Sequence, residues 1–381
     1  MPILARQQPV AEDSGYGFGG QQSSRSEAKL PFRGRAQAIA PSPKKPDDGA
    51  AWTVIRHLLA CLTRITRLLI SLAMVGNNQA AINIHNAGDH RIRLNTMIIT
   101  HISDPTDPRL DDFRDLKHSD NRPDLPGGKG LVIAEGPLIV ERLLASRYPV
   151  RTLVGFPAKL DKFLSQPHIA DLAAGIDTYS LDRETLAQVA GYDMHRGLLA
   201  AANRAPELSL SEVIKTATTV VVLEGVGDHE NIGSIFRNAA GLGVDAILFG
   251  NGCADPLYRR SVRVSMGHVL RLPHASFEGK HTNWHYGLDQ LKESGFQLLS
   301  LTPHEDAVPL DQALYDGNGA PYEKIALLVG AEGPGLAERT MRRTDIRARI
   351  PMSAGTDSLN VATAAAIALY ERQRGRMPHG E

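Results

Sequence analysis

Cysteine is scarce in this sequence. Only Cys61 and Cys253 occur among the 381 residues, and neither belongs to a C-x-x-C pair. A disulfide framework and a cysteine-ligated metal are therefore disfavoured, and the pattern favours a reducing compartment, the cytoplasm. We predict no bound metal.

Long apolar runs are missing too. The longest run near the N-terminus covers residues 68–75. The apolar segment before it is interrupted by Arg56, Arg64 and Arg67. A membrane-spanning helix needs about 20 apolar residues. We therefore predict an amphipathic helix within residues 53–75, no membrane partner and no secretory signal.

Two nucleotide-binding signatures are also absent. No G-x-G-x-x-G stretch occurs between a predicted strand and a helix, and no glycine-rich loop carries a Walker A lysine. These absences disfavour a dinucleotide site and, with it, a nucleotide-dependent oxidoreductase.

Neither sign of charge is in excess over the whole chain, which has 42 Lys and Arg against 42 Asp and Glu. This balance excludes a uniformly basic nucleic-acid-binding protein and an acidic disordered one. The charges are unevenly placed, because residues 1–96 hold 12 basic and 6 acidic side chains and the rest of the chain holds 30 and 36. Any contact with a polyanion must therefore come from a local basic patch.

Residues 1–102 are predicted to be a disordered extension of low complexity. Residues 7–50 are rich in Gln, Ser, Gly and Pro. Such a segment cannot bury enough apolar surface to offset its ordering entropy. Two alternatives stay open: a leader that performs no chemistry, or a native protein that starts at Met97.

Residues 103–203 alternate between short apolar strands and amphipathic helices, which indicates a small α/β domain. The predicted strands are 131–134, 152–156, 176–180 and 197–202, and the predicted helices are 137–146, 158–165 and 183–190. The polar stretch 204–218 is predicted to be a linker.

Residues 219–375 contain a second α/β pattern. Its β-rich apolar runs are 219–224, 245–250, 296–301, 325–330 and 347–351. Because these runs are apolar on both faces, they predict a parallel sheet covered by helices. Ligands of such sheets bind beyond the carboxyl ends of the strands, so the loops after these runs are the candidate site.

The first of these loops leads into a helix with polar side chains suited to chemistry. Asn231 is predicted to cap the helix, and Arg237 lies off the apolar stripe of Ile232, Ile235 and Ala239. The planar guanidinium of such an arginine can bind a phosphate or a carboxylate. From position alone, an ordinary surface arginine is the commoner outcome.

Two further loops are rich in small residues. Gly330, Gly333 and Gly335 follow a strand and allow a backbone or a ligand to approach closely. A second polar loop follows residue 351, and a helix of small residues begins near Ser358. Taken singly, these features also fit an ordinary strand-to-helix turn and an alanine-rich helix.

Together the three motifs resemble the signatures of the SpoU/TrmH family of RNA ribose 2′-O-methyltransferases. The segment 260–268, ahead of Leu272 and Pro273, matches a further stretch of that family, and the resemblance covers residues 104–375. It implies a SPOUT α/β domain with a deep trefoil knot, which binds S-adenosyl-L-methionine and dimerises through the knotted domain. It also implies that the first module is a small α/β RNA-binding domain similar to ribosomal protein L30e.

The resemblance also implies roles for individual residues. The implied catalytic residues are Asn231, Arg237, Glu332, Ser358 and Asn360. The implied cofactor contacts are Leu301, Thr302, Gly330, Ile350, Met352 and Leu359. His229 and Glu230 depart from the residues that many members have before this asparagine.

RNA is the implied partner, and a 2′-hydroxyl target excludes DNA as a substrate. The expected RNA contacts are Arg237, Arg259, Arg260 and Arg263, with Arg271 nearby in sequence and with Lys117, Arg122 and Lys129 in a loop of the first module. Ribosomal RNA is favoured over transfer RNA. The alternative is a non-catalytic RNA- or ribosome-binding protein that retains the fold.

Overall fold

The computed structural model of the protein describes residues 78–85, 93–116 and 130–377, with side chains described from residue 98 onward. All of these residues belong to one compact unit. The disorder and the amphipathic helix predicted before residue 78 lie outside the described residues, as do Lys117, Arg122 and Lys129. None of the described helices is long and apolar enough to cross a membrane.

The first domain contains a six-stranded mixed sheet. Its strands in chain order are β1 (Asn78–His85), β2 (Arg93–His101), β3 (Leu131–Glu135), β4 (Val150–Gly155), β5 (Asp177–Ser180) and β6 (Leu198–Asn203). The order across the sheet is β1-β2-β5-β4-β6-β3. Strands β2, β5 and β4 are parallel, and β6 is antiparallel to β4 and β3.

The two N-terminal strands place the start of this domain earlier in the chain than predicted. Because β1 and β2 pair within the sheet, the domain begins before residue 103, the boundary expected from the sequence. Strand β2 also includes Met97. A native protein that started at Met97 would therefore lack β1 and the first part of β2.

Four α-helices accompany this sheet, and three of them begin with proline. They are α1 (Pro137–Leu144), α2 (Pro157–Leu164), α3 (Pro167–Leu172) and α4 (Arg183–Ala190). Proline suits the first helical position, because its φ is already helical and its missing N–H would have no partner there. Asp182 caps α4 by accepting from the Thr185 backbone N–H at 2.7 Å. Helices α1, α2 and α4 and the strands after residue 130 confirm the predicted elements.

The second domain contains a seven-stranded parallel sheet. Its strands are β7 (Thr219–Glu224), β8 (Ala246–Phe249), β9 (His274–Ser276), β10 (Gln297–Leu301), β11 (Val308–Pro309), β12 (Ile325–Gly330) and β13 (Ile346–Arg349). They follow the order β11-β13-β10-β12-β7-β8-β9, with every pair parallel. The five predicted strands are confirmed, and β9 and β11 are additional edge strands.

The helices of this part of the chain are α5 (Leu210–Ile214), α6 (His229–Gly241), α7 (Arg259–Val264), α8 (Leu288–Glu293), α9 (Leu310–Ala313), α10 (Glu338–Met341) and α11 (Val361–Arg376). Helix α5 lies within the predicted linker 204–218. Ser209 and Glu212 form a reciprocal capping box at its start, and its Val213 and Ile214 are buried in the second domain. The linker is therefore partly helical because its short apolar face packs against the sheet.

Strand β7 shows why the sheet is parallel and covered on both faces. All six of its residues are buried. Val221 belongs to the same apolar cluster as Phe236 of α6, whereas Val222 belongs to a second cluster with Leu288 of α8. Burying each such side chain contributes about 1.5–3 kcal/mol. These opposed layers fix the carboxyl ends of β7, β10 and β12 at one edge of the sheet.

One of the apolar clusters contains residues of both domains. Ile139 and Leu143 of α1 belong to the same cluster as Ile232 of α6 and Val269. Helix α7 packs against β3, and the 3-10 helix His268–Leu270 packs against α1.

Arg259 forms polar contacts across the same domain interface, which we call the interdomain joint. Its guanidinium donates to the Tyr192 hydroxyl at 2.7 Å and to the Leu116 carbonyl at 3.2 Å, and it lies 5.0 Å from the centre of the Tyr192 ring. The Glu135 carboxylate is 3.6 Å away. Burial raises the pKa of Tyr192 to about 12, so its hydroxyl stays protonated. A cation and a carboxylate that are both largely buried at this joint depend on each other.

Arg259→Ala is expected to lower the free energy of unfolding by about 3 kcal/mol, because the buried Glu135 carboxylate would lose its cation. Arg263→Ala, on the exposed side of the same helix, is the matched control and is expected to change it by less than about 0.5 kcal/mol. Urea denaturation followed by circular dichroism measures both values. Equal effects of the two substitutions would contradict the structural role of Arg259.

Candidate functional site

A cavity of about 400 Å³ opens beside the carboxyl ends of β10 and β12 and the loop that follows β13. This volume falls within the usual range for small-molecule sites, about 300–1,000 Å³. The six residues predicted as cofactor contacts all line it, and these are Leu301, Thr302, Gly330, Ile350, Met352 and Leu359. Glu332, Ser358 and Asn360 also contribute to its wall.

Three side chains form a closed ring of hydrogen bonds at this cavity. The Asn231 amide donates to Glu332 Oε1 at 2.8 Å. The Asn360 amide donates to the same carboxylate oxygen at 2.8 Å and to Asn231 Oδ1 at 2.8 Å. Hydrogen bonds to a carboxylate are stronger than neutral ones. We name Asn231, Glu332 and Asn360 the amide–carboxylate ring, and it brings together one residue from each of the three motifs.

The two asparagines are placed by the starts of two helices. Asn231 was predicted to be the cap of its helix, but Asp228 is the cap and accepts from the Glu230 and Asn231 backbone N–H groups. This prediction was wrong because Asp228 is equally able to cap and lies earlier in the chain. Asn231 is then in the first turn, with its side chain turned to the ring. Asn360 is itself a cap, with Oδ1 accepting from Ala362 and Thr363, so α11 begins at residue 361, after the predicted start near Ser358.

Glu332 is placed by a tight loop that only glycine permits at its base. Gly335 donates its backbone N–H to the Ala331 carbonyl at 3.0 Å. A Cβ on Gly330 would lie 2.2 Å from the carbonyl carbon of Gly335 and 2.2 Å from the nitrogen of Leu336. Gly333 and Gly335 have φ values of 85° and 68°, which residues other than glycine rarely adopt. The loop therefore folds back onto the end of β12 and directs Glu332 to the ring.

Arg237 lies apart from the ring. It is exposed on α6, and it makes no hydrogen bond or ion pair within the part of the chain that the structure describes. Its charge acts instead on Arg142 and His268, since it contributes to lowering the pKa of both. Glu332 therefore orients the two asparagines rather than Arg237.

Comparison with known proteins assigns the family. The model of the SpoU rRNA Methylase family matches residues 218–370. A protein of Mycobacterium tuberculosis named as an uncharacterized tRNA/rRNA methyltransferase is 57% identical over 274 residues, which cover 72% of this chain and 91% of that protein. The chain belongs to the SpoU methylase family.

Two further similarities extend this comparison. A 23S rRNA (guanosine-2′-O-)-methyltransferase of Acinetobacter baylyi is 29% identical over 246 residues, covering 62% of this chain and 95% of that protein. A crystal structure of an AdoMet-bound rRNA methyltransferase from Sinorhizobium meliloti is similar with a TM-score of 0.59 and 23% identity, covering 73% of this chain and 99% of that one. This likeness confirms the α/β fold with a parallel sheet.

The arginines predicted to bind RNA in this SpoU-family chain lie in three different environments. Arg263 is exposed. Arg260 is also exposed and forms an ion pair with Glu230, an interaction worth little at a solvated surface. Arg259 is in the interdomain joint, with its guanidinium engaged by Tyr192 and Leu116. Arg259 therefore contributes to the domain interface, and its predicted contact with RNA stays a prediction.

One buried carboxylate that supports the SpoU-family site was not predicted from the sequence. Glu224 is buried at the end of β7, where Oε2 accepts from the Ala337 backbone N–H and Oε1 accepts from the Thr340 hydroxyl, each at 3.0 Å. It thereby anchors the segment that follows the glycine-rich loop. A charged residue at the end of an otherwise apolar strand was the available signal.

Gly330→Ala is expected to lower the free energy of unfolding by about 2 kcal/mol or more, because the new Cβ meets backbone that cannot rotate away. Gly317→Ala is the matched control, since nothing lies within 4 Å of its added Cβ. Thermal unfolding of the two variants, followed by circular dichroism, measures the difference. A Gly330→Ala protein as stable as the control would contradict the tight packing of this loop.

Proposed function

We propose that this SpoU-family protein transfers a methyl group from S-adenosyl-L-methionine to the 2′-hydroxyl of a ribose in RNA. The observation that carries the proposal is the amide–carboxylate ring, which joins the three motifs and places Glu332 and Asn360 on the cavity wall. The Acinetobacter baylyi relative is named as a guanosine-2′-O-methyltransferase, which supports this reaction class.

The cavity wall fits S-adenosyl-L-methionine. Leu301, Ile350 and Leu359 provide apolar surface, and the glycine-rich loop provides backbone that a ligand can approach closely. The Glu332 carboxylate supplies negative charge near a cationic ligand. When it is bound, this cofactor provides a methyl group on a positively charged sulfur. The related Sinorhizobium meliloti structure was determined with AdoMet bound, which supports the assignment.

The amide–carboxylate ring would act by positioning. In-line transfer requires the ribose oxygen to be aligned with the methyl group, and alignment of this kind is chiefly an orientation effect. The ring holds the loop after β12 against the starts of α6 and α11. Ser358 also lines the cavity and would add a hydroxyl to the polar side of the site.

Arg237 would bind the phosphate next to the target ribose and polarise the 2′-hydroxyl. A guanidinium keeps its positive charge in a protein, so Arg237 does not act as a base. Its planar group can hold phosphate oxygens in a bidentate manner. Its exposure on α6 leaves that group available to a substrate.

The resemblance to the family supports further proposals. We infer that the substrate is ribosomal RNA, consistent with the 23S rRNA enzymes of Acinetobacter baylyi and Bacillus subtilis among the relatives. We also infer that the second domain contains a trefoil knot and forms a homodimer, that the first domain is similar to ribosomal protein L30e, and that the protein acts in the cytoplasm.

Arg237→Ala is expected to reduce methyl transfer by about 100-fold or more while leaving S-adenosyl-L-methionine affinity unchanged, because the arginine contacts the RNA phosphate rather than the cofactor. Transfer of a labelled methyl group to ribosomal RNA from a strain lacking the gene measures activity, and isothermal titration measures affinity. Arg183→Ala, an exposed arginine of the first domain, is the control.

Near-normal methylation by Arg237→Ala would refute the role of this arginine. If the unaltered protein binds RNA but no S-adenosyl-L-methionine in the titration, the non-catalytic RNA- or ribosome-binding alternative replaces the proposal. Mapping 2′-O-methylation in cells with and without the gene identifies the modified nucleotide.

Asn231→Asp tests the ring itself. The substitution keeps the shape but replaces a donor by a carboxylate beside Glu332, so the two like charges are expected to separate the loops. We expect methyl transfer and S-adenosyl-L-methionine affinity each to fall about tenfold or more. Asn318→Asp, in an exposed turn, is the matched control. Unchanged cofactor affinity in Asn231→Asp would contradict the positioning role of the ring.

A further inference from the structure

Three arginines from both domains meet beside α6. Arg142, on α1, donates to the Met266 carbonyl at 2.5 Å across the domain interface. Arg271 directly follows the 3-10 helix His268–Leu270, which packs against both α1 and α6. Arg237 is on α6. We name Arg142, Arg237 and Arg271 the interdomain arginine patch.

The backbone at the end of α7 is shaped to hold Arg142. Met266 and Gly267 both have left-handed φ values, 55° and 82°. For a residue with a side chain such as Met266 this conformation costs about 1 kcal/mol. A Cβ on Gly267 would lie 3.2 Å from Cδ of Arg142 and 3.2 Å from Cγ2 of Ile139. The unusual turn therefore brings the Met266 carbonyl to the guanidinium and lets the arginine stem pack closely.

Among the described residues, the patch has no ion-pair partner. None of its three arginines takes part in an ion pair within residues 130–377. Burial, Arg271 and Arg237 lower the pKa of Arg142, and the neighbouring Glu141 opposes them. Burial and the three arginines together lower the pKa of His268. Cations that disfavour one another's charge in this way favour the binding of an anion.

We propose that the interdomain arginine patch binds the phosphodiester backbone of the RNA substrate, with Arg142 as the contribution of the first domain. This inference rests on the proposed function and deepens it. Arg237 follows Asn231 by six residues, about 9 Å along the axis of α6. A flexible RNA strand can follow α6 over this distance, so its backbone can lie on the patch while one of its riboses lies at the cavity.

The charge of Arg142 is tested by Arg142→Met in the full chain, because methionine keeps an apolar stem and removes the cation. Binding of a fluorescein-labelled RNA hairpin is measured by anisotropy over a series of salt concentrations. We expect the affinity to fall about tenfold and the slope of log K against log salt to decrease by about 1, as for loss of one phosphate contact. S-adenosyl-L-methionine affinity is expected to stay unchanged.

Two further substitutions separate phosphate binding from domain joining. Arg271→Met changes an exposed residue, so it is expected to reduce the salt slope without loss of stability. Lys159→Met makes the same change of charge on an exposed face of the first domain and is expected to leave the slope unaltered. If Arg142→Met and Arg271→Met retain the unaltered protein's salt slope, the patch does not bind RNA and the inference is overturned.

The outcome for this inference differs from the outcome for the proposed function. If substitutions in the patch reduce the salt slope of RNA binding but the protein transfers no methyl group, the RNA site is supported and the proposed reaction is refuted. If the protein transfers methyl groups but substitutions in the patch leave the salt slope of RNA binding unchanged, the proposed reaction is supported and the RNA site is overturned.

Discussion

The candidate site depends on three hydrogen bonds among two amides and one carboxylate. Asn231 lies 101 residues before Glu332 and 129 residues before Asn360, and Glu332 lies 28 residues before Asn360. The fold alone brings these residues together. Asn360 also caps α11, and Asn231 lies in the first turn of α6. The ring therefore couples the ends of two helices to the glycine-rich loop. Glu224 restrains the far end of that loop through Ala337 and Thr340.

Much of the second domain was predictable because its strands are apolar on both faces. Strand β7 is buried along its whole length, and such a run has few alternatives to the centre of a parallel sheet. The edge strands β9 and β11 contain three and two residues, which is too short to give any periodic signal. In the first domain, β1 and β2 precede the region where the apolar pattern was recognisable, so the expected boundary came too late.

The sequence predicted which loops form the site, but it did not predict the role of each side chain there. Asp228 and Asn231 are both good capping residues, and only the folded chain shows that Asp228 caps while Asn231 turns to Glu332. The neighbouring Arg259 and Arg260 look alike in sequence. Arg259 donates a hydrogen bond to Tyr192 of the first domain, whereas Arg260 forms an ion pair with Glu230. Contacts between distant segments decide such roles, and local patterns carry no information about them.

The apolar core that runs from Ile139 in α1 to Ile232 in α6 has a geometric consequence. The domains cannot slide or separate without exposing that core to water, at a cost of about 25 cal/mol for each Å². A molecule that touches both domains therefore meets a surface of fixed length. A partner binds well only if the spacing of its contacting groups matches that length. The rigid domain interface therefore makes binding selective for the shape of the partner.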